Sequence, residues 1–390
     1  MVEQFPAFLL RAALIITKSF RIKFGSLPQA NYFRILILNK NHSYMKLNSI
    51  AILFILAACS EAPQTRQQVK EEPVSVEDQS LWANAQTYFQ PITGPKELAG
   101  NPLTPEKTEL GKMLYYDTRL SKTGNNSCNS CHNLATYGVD NESFSKGDAG
   151  KRGGRNSPTV YNAAFANMQF WDGRAHDVEE QAGMPILNPV EMAIPSKEFL
   201  VTRLKSTKEY PALFAAAFPK DPNPLTYDNL QKAIGAFERT LVTPSRFDDF
   251  IGKNPSYLTK KEKEGLALFI ELECTKCHGG IGIGGGQLQK FGVHGEYTTL
   301  TRSQKHDEGR KEVTRQQADR DVFKVPTLRN VAKTAPYFHD GSVQNLSEAV
   351  KIMAKLQLNR ELKDDETEKL VAFLHSLTGE IPAYALQASR

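Results

Sequence analysis

The chain of 390 residues is poor in the residues that most often carry chemistry, with five cysteines, two tryptophans and eight histidines. Four of the cysteines fall in two C-x-x-C pairs, which makes a general disulfide framework a weak reading. With 40% hydrophobic residues the chain can instead build apolar cores for two or three domains. An excess of one charge is also missing where it would count. The formal net charge is +5, but residues 1–58 carry seven Lys/Arg against one acid, leaving 41 basic and 42 acidic residues beyond them. That balance excludes a basic patch for nucleic acid. Ile50 to Ala58 is the apolar run of the N-terminal region, and it is too short to span a bilayer of about 30 Å.

What is present centres on Cys128-Asn-Ser-Cys131-His132 and Cys274-Thr-Lys-Cys277-His278. Two thiols three positions apart can reach the two vinyl groups of one porphyrin, and the following His can then turn under the ring to ligate iron. The spacing therefore predicts two covalent c-type haems, at Cys128/Cys131 and Cys274/Cys277, with His132 and His278 as axial ligands. A structural zinc site is the main rival, but each pair is followed at once by His, and 142 residues separate Cys131 from Cys274. A thioredoxin-like redox motif is a weaker rival.

The remaining thiol, Cys59, follows a basic start at Met45-Lys46, an apolar run and Leu56-Ala57-Ala58. This resembles a bacterial lipoprotein signal, with 45–58 as signal peptide, Cys59 as the lipid-bearing first residue and 1–44 as an upstream artefact. Residues 59–95 form a lipidated tether and N-terminal segment, polar and without apolar period from Ser60 to Gln79. An exported, periplasmic location suits haem attachment outside the cytoplasm.

The two motifs sit in related surroundings. A helix with Thr104 as N-cap, Pro105 at its first position and Leu110, Met113 and Leu114 on one face leads into the first. A helix with a Thr259/Glu262 capping box and a Leu266, Phe269, Ile270 stripe leads into the second. Tyr227 to Leu241 and Asp364 to Leu377 close the halves as amphipathic helices. The fold class predicted is mainly α, two cytochrome c-like haem domains packed together and loop-rich, with domains at 96–250 and 251–390.

The halves differ in their second axial ligand. An electron-transfer haem needs one, whereas a haem that meets substrate keeps the position open. Met353 is the only methionine of the second half, competing with His294, His306, His339 and His375. In the first half the candidates are His176, Met168, Met184 and Met192, set among Gly, Pro and Asn near Trp171.

Asn156-Ser-Pro-Thr-Val-Tyr-Asn162, Gln169-Phe-Trp-Asp-Gly-Arg174, Glu180-Gln181-Ala182 and Asn188-Pro-Val-Glu-Met192 strongly resemble bacterial di-haem cytochrome c peroxidases. Phe323-Lys-Val-Pro-Thr-Leu-Arg-Asn-Val331, Thr334-Ala-Pro-Tyr-Phe-His-Asp-Gly341 and Glu348-Ala-Val-Lys-Ile-Met353 continue the resemblance, which spans about 96–380. It implies a low-potential peroxidatic haem on His132 and a high-potential haem on His278 and Met353. Glu191 matches the distal acid-base residue, Gln181 its hydrogen-bonding neighbour and Trp171 a relay between haems. Asn156, with the backbone carbonyls of Thr334 and Pro336, matches a calcium site. Hydrogen peroxide is then the substrate, a small cytochrome c or cupredoxin the electron donor, and a homodimer the form family members often take.

One departure stands out. Where many members carry a His that blocks the peroxidatic iron, this sequence has Asp148, in Ser145-Lys-Gly-Asp-Ala-Gly-Lys-Arg-Gly-Gly154, a run without His. The expectation is an open or water-bound iron, and a mobile Gly-rich loop. Two other functions compete: an oxidase of the methylamine-dehydrogenase-maturation type, where the second haem carries Tyr and against which Met353 argues, and a di-haem electron carrier without catalysis.

Overall fold

The computed structural model describes residues 75–386, so the signal peptide, Cys59 and residues 1–44 lie outside the described residues. Its helices that matter for the site are α1 Val76–Tyr88, α2 Pro105–Tyr116, α3 Val178–Leu187, α4 Tyr227–Thr240, α5 Lys260–Glu271, α6 Leu346–Leu358 and α7 Asp364–Ser376. Among the described residues the one sheet is a two-stranded antiparallel ribbon, β1 Leu288–Lys290 against β2 Val322–Lys324, with Gln289 opposite Phe323. No helix among the described residues is long and apolar enough to cross a membrane.

Helix starts follow local chemistry. The Thr104 side chain accepts from the Lys107 amide with Pro105 at the first turn, and Thr259 and Glu262 close a reciprocal box at the head of α5. Both helices then meet the closing helix of their half at a glycine. A Cβ on Gly111 would stand 1.9 Å from the Ala233 carbonyl oxygen of α4, and one on Gly265 would stand 1.9 Å from that of Lys369 in α7. Only the absence of a side chain lets each pair of backbones cross so closely.

Three apolar clusters result. Leu110, Leu114 and Tyr115 of α2 pack with Ile234 and Phe237 of α4, and Leu266 and Phe269 of α5 pack with Leu370, Phe373 and Leu374 of α7. The third gathers Phe291, Tyr297, Phe323, Ile352 and Leu356 around the ribbon and α6.

The chain ends depart from the sequence reading. The stretch to Gln79 was expected to be a tether, but α1 starts at Val76, capped by Ser75, and buries Ala85 in the cluster of Leu266 and Phe269 of the second half. Its Trp82 indole donates to the Phe250 carbonyl at 2.7 Å. With mostly polar residues around Trp82, no apolar period marks this helix, because a few large side chains do the anchoring. At the other end Ala385 joins the cluster of the first half, and the Tyr116 hydroxyl donates to its carbonyl at 2.7 Å. Each terminal segment therefore packs on the half to which it does not belong in sequence.

Candidate functional site

Each Cys-x-x-Cys-His follows the first helix of its half, and each imidazole meets a Pro-Thr-x-x-Asn segment. His132 Nδ1 lies 2.9 Å from the Pro158 carbonyl, which fixes the ring with Nδ1 as donor and leaves Nε2 free to face a metal. Burial lowers the His132 imidazole below its ordinary value, with the Pro158 carbonyl pulling the other way. Burial likewise lowers His278 to about 4, opposed by the carbonyls of Pro326 and Ile283, and both rings are held neutral, the form that ligates iron.

The segments Pro158-Thr-Val-Tyr-Asn162 and Pro326-Thr-Leu-Arg-Asn330 are copies of one another in space, a repeat the sequence reading quoted without pairing. Thr159 Oγ1 donates to the Tyr137 carbonyl and accepts from the Tyr161 amide, while Thr327 Oγ1 donates to the Gly282 carbonyl and accepts from the Arg329 amide. Asn162 and Asn330 both adopt φ 61°. Their side-chain amides both donate to Thr243 Oγ1, at 2.7 and 2.8 Å, so one hydroxyl between the halves uses both lone pairs.

Burial raises the thiols, Cys131 to about 11 and Cys274 to about 12, with Cys128 higher still. Among the described residues no three His, Cys, Asp or Glu side chains converge as a metal site would need.

A cavity of about 990 Å³ is lined by Cys128, Cys131 and His132 together with Gln181, Glu191, Met192 and Trp171. It lies at the upper end of the range for cofactor pockets. Burial raises the Glu191 carboxyl above its ordinary value, while Arg174 and the Asn188 amide, 2.9 Å from Oε1, pull it down. Arg174 also pairs with Asp172 at 2.7 Å and lies over the Phe170 ring. Fully buried Glu238 lines the same cavity, its carboxyl pushed up to about 8 by burial and by Glu179.

His176 is exposed, and neither it nor Met184 lines this cavity, so two of the alternative ligands fall away. Met192 does line it, sunk in the first apolar cluster. The loop bearing Asp148 is not loose. Asp148 is 8% exposed and accepts from the Thr123 amide and hydroxyl at 2.9 and 2.8 Å, and its own amide donates to the Glu191 carbonyl at 2.7 Å. Burial alone would raise its carboxyl; the hydrogen bonds from Thr123, Ser121 and Asn125 hold it below the usual range. This Gly-rich run is held by Asp148 on one side, and Gly147 packs on the Val190 carbonyl on the other.

In the second half Met353 lies half-buried on α6 against the third cluster, while the His278 ring lies beside Phe269 of the second. Of its rivals, His294 and His375 are exposed and His306 pairs with Asp321 at 2.6 Å. His339 is buried, stacked on Phe323 with centroids 4.2 Å apart, and its Nε2 has no partner.

Trp171 joins the regions. Its indole donates to the Asn156 carbonyl at 2.8 Å, and its carbonyl accepts from the Lys324 amide at 2.6 Å. It lines the large cavity and a second one of about 100 Å³, where Asn156, Thr334 and Pro336 come together. Sequence reasoning missed Arg155, which binds Asp172 of the first half at 2.5 Å and Asp307 of the second at 2.6 Å. Nothing local marks it, since its partners are far apart in sequence.

Two helical halves, each presenting paired thiols and a buried imidazole, define a di-haem c-type protein. The comparisons narrow this. Residues 105–256 match the family described as di-haem cytochrome c peroxidase and 262–378 that described as cytochrome c. Cytochrome c551 peroxidase of Pseudomonas aeruginosa is 45% identical over 78% of this chain and 88% of its own. Methylamine utilization protein MauG of Methylorubrum extorquens is 33% identical over 79% and 88%. A solved MauG-like protein associated with microbial copper homeostasis aligns with a TM-score of 0.68 at 28% identity, over 76% of this chain and 97% of that one. The chain belongs to the di-haem cytochrome c peroxidase family, whose members are oxidoreductases with two c-type haems.

Proposed function

We propose that this protein reduces hydrogen peroxide to water with two electrons from a small cytochrome c or cupredoxin, and that Glu191 is its acid-base residue. The observation that carries this is Glu191 in one cavity with His132 and both thiols of the first motif, its carboxyl raised above its ordinary value by burial. The residues fit haem: His132 offers Nε2 with Nδ1 held by Pro158, and the protonated thiols are available for thioether bonds. Bound there, the haem would accept peroxide and the electrons that cleave its O–O bond.

The protein's own part is proton handling. Peroxide must lose a proton from the oxygen that meets iron and gain one on the oxygen that leaves. Glu191 takes the first and returns it, and two further protons from solvent, with the two electrons, complete two waters. The Asn188 amide orients the carboxylate, and Gln181 stands beside it to hold substrate or water. Trp171, bonded to Asn156 and Lys324, gives electrons a path between the halves. His278 and Met353 would ligate the haem that receives them, the electron-transfer domain being 251–390 and the peroxidatic one 96–250. Asp148 stands as a tie in place of a blocking His, so the peroxidatic site is open in the oxidised protein.

Asn156, whose Nδ2 is spent on the Glu142 carbonyl, offers Oδ1 beside the carbonyls of Thr334 and Pro336 for calcium. Lipidation at Cys59 would hold the enzyme at a periplasmic membrane surface, and a homodimer is the expected assembly. Steady-state turnover of peroxide with reduced cytochrome c tests the central reading. Glu191→Gln should lower it by about 10²–10⁴-fold with haem content unchanged; wild-type protein that shuttles electrons without consuming peroxide would overturn it.

A further inference from the structure

The seam cavity holds an unmatched cation. Lys324, at the end of β2, is 7% exposed and lines the cavity of about 100 Å³ with Trp171, Gly282, Gly284 and Pro326. Its ammonium has no hydrogen bond or ion pair among the described residues. No acidic residue lines this cavity. The acids of the adjoining region are committed elsewhere, Asp172 to Arg155 and Arg174, Asp307 to Arg155, and Asp321 to His306.

A buried ammonium without a counter-charge is expensive, and proteins supply a partner or neutralise the group. Burial alone already lowers Lys324 to about 8. The anion must therefore come from outside the polypeptide, the more so because the calcium proposed at Asn156, Thr334 and Pro336 would add positive charge to the same cavity. A di-haem protein brings four carboxylates of its own, the haem propionates. Both halves wall the cavity, Pro158 and Thr159 of the first beside Gly282, Gly284 and Pro326 of the second, so the choice between the haems rests on the chain around Lys324. Gly282 and Gly284 follow His278 closely in sequence, a Cβ on Gly284 would stand 3.2 Å from His278 Nδ1, and Lys324 lies two residues before Pro326.

We propose that Lys324 holds a propionate of the haem attached at Cys274 and Cys277, and that its charge makes that iron the more easily reduced of the two. The inference rests on the di-haem reading. A fixed positive charge near a haem favours the state with one electron more, and the dry seam weakens screening. The large cavity carries the opposite device, the buried carboxyl of Glu238, which cannot favour reduction of the haem beside it.

The test is a spectroelectrochemical titration of holoprotein carrying Lys324→Met or Lys324→Arg, with haem counted by pyridine haemochrome. The midpoint of the methionine-ligated haem should fall in Lys324→Met and return toward wild type in Lys324→Arg, with the other midpoint unmoved. Two haems per chain with neither midpoint shifted would overturn the role of Lys324 alone. Fewer than two haems in the wild type would overturn the di-haem reading instead. Should Lys324→Met fail to fold, resonance Raman of the wild type decides: a propionate bending band at the hydrogen-bonded position supports the contact, and one at the free position removes it. A midpoint in the wild type that follows added chloride or phosphate would assign Lys324 to a free anion and overturn the propionate.

Discussion

The two halves share the scaffold that surrounds an imidazole and little that faces it. Gly111 and Gly265 bring paired helices together, Pro158 and Pro326 sit behind His132 and His278, and Asn162 and Asn330 meet on Thr243. Around that common frame a cavity of about 990 Å³ opens with Glu191 and Gln181 of the first half on its wall and Thr301, Asp307 and His339 of the second half closing it. The second half spends its extra chain on the ribbon, on α6 with Met353 and on Lys324. A repeated scaffold can thus serve two tasks because the ligand-holding side is built from short-range turns, while the opposite side comes from long insertions free to diverge.

The sharpest way to break the comparison is at Met353. Met353→Ala should remove the sulfur ligand from the second haem, abolish its methionine–iron charge-transfer band and stop turnover driven by cytochrome c, while leaving the first haem's spectrum as it was. If donor-driven turnover persists and the band remains, the ligand is another residue and the assignment of the halves must be reversed or revised. His339, buried with an unpartnered Nε2, lines the cavity of His132 and is no substitute on the His278 side.

A second comparison asks whether the halves are equivalent as scaffolds. Gly111→Ala and Gly265→Ala each push a methyl group into a facing carbonyl oxygen and should each destabilise holoprotein by about 1–3 kcal/mol or more, read from denaturant midpoints. Equal losses support a true structural repeat. A harmless substitution in one half would show that its helix pair can slide apart.

The smallest effect is expected at the loop that only the first half carries. Asp148→Ala removes the tie between this loop and Thr123 and should cost about 1–3 kcal/mol locally, seen as faster hydrogen exchange over 145–153. Because the folded protein depresses this carboxyl, its contribution is present above the unfolded value of about 3.9 and is lost as pH falls through the lower folded value. Exchange in this loop should therefore accelerate in acid in the wild type and lose that dependence in the variant. Unchanged protection in Asp148→Ala would mean that Gly147 against Val190 suffices to hold the loop.

Much of this was legible in the chain. Both haem motifs, the Thr104 cap, the Thr259/Glu262 box and the apolar stripes of four helices are local patterns, set by residues one to four positions apart, and the structure contains them. Glu191, Gln181 and His132 were named from motifs, and the fold brings them to one cavity. The α1 helix was missed because its anchoring comes from Trp82 and Ala85 meeting residues more than 160 positions away, with no periodic signal of its own. The loop at Asp148 was expected to move because glycine count was visible and Thr123 as partner was not.

What the sequence by itself determined is where the two Cys-x-x-Cys-His motifs lie and which helices flank them, since thiol spacing and helix period are properties of neighbouring residues. Only the tertiary structure decided what faces each cavity: that Asp148 ties a loop, that the chain ends exchange halves, and that Lys324 is buried in a seam with no acid to meet it. These depend on segments a hundred or more residues apart arriving at one place, and the cost of an unpaired charge is set by what else arrives there.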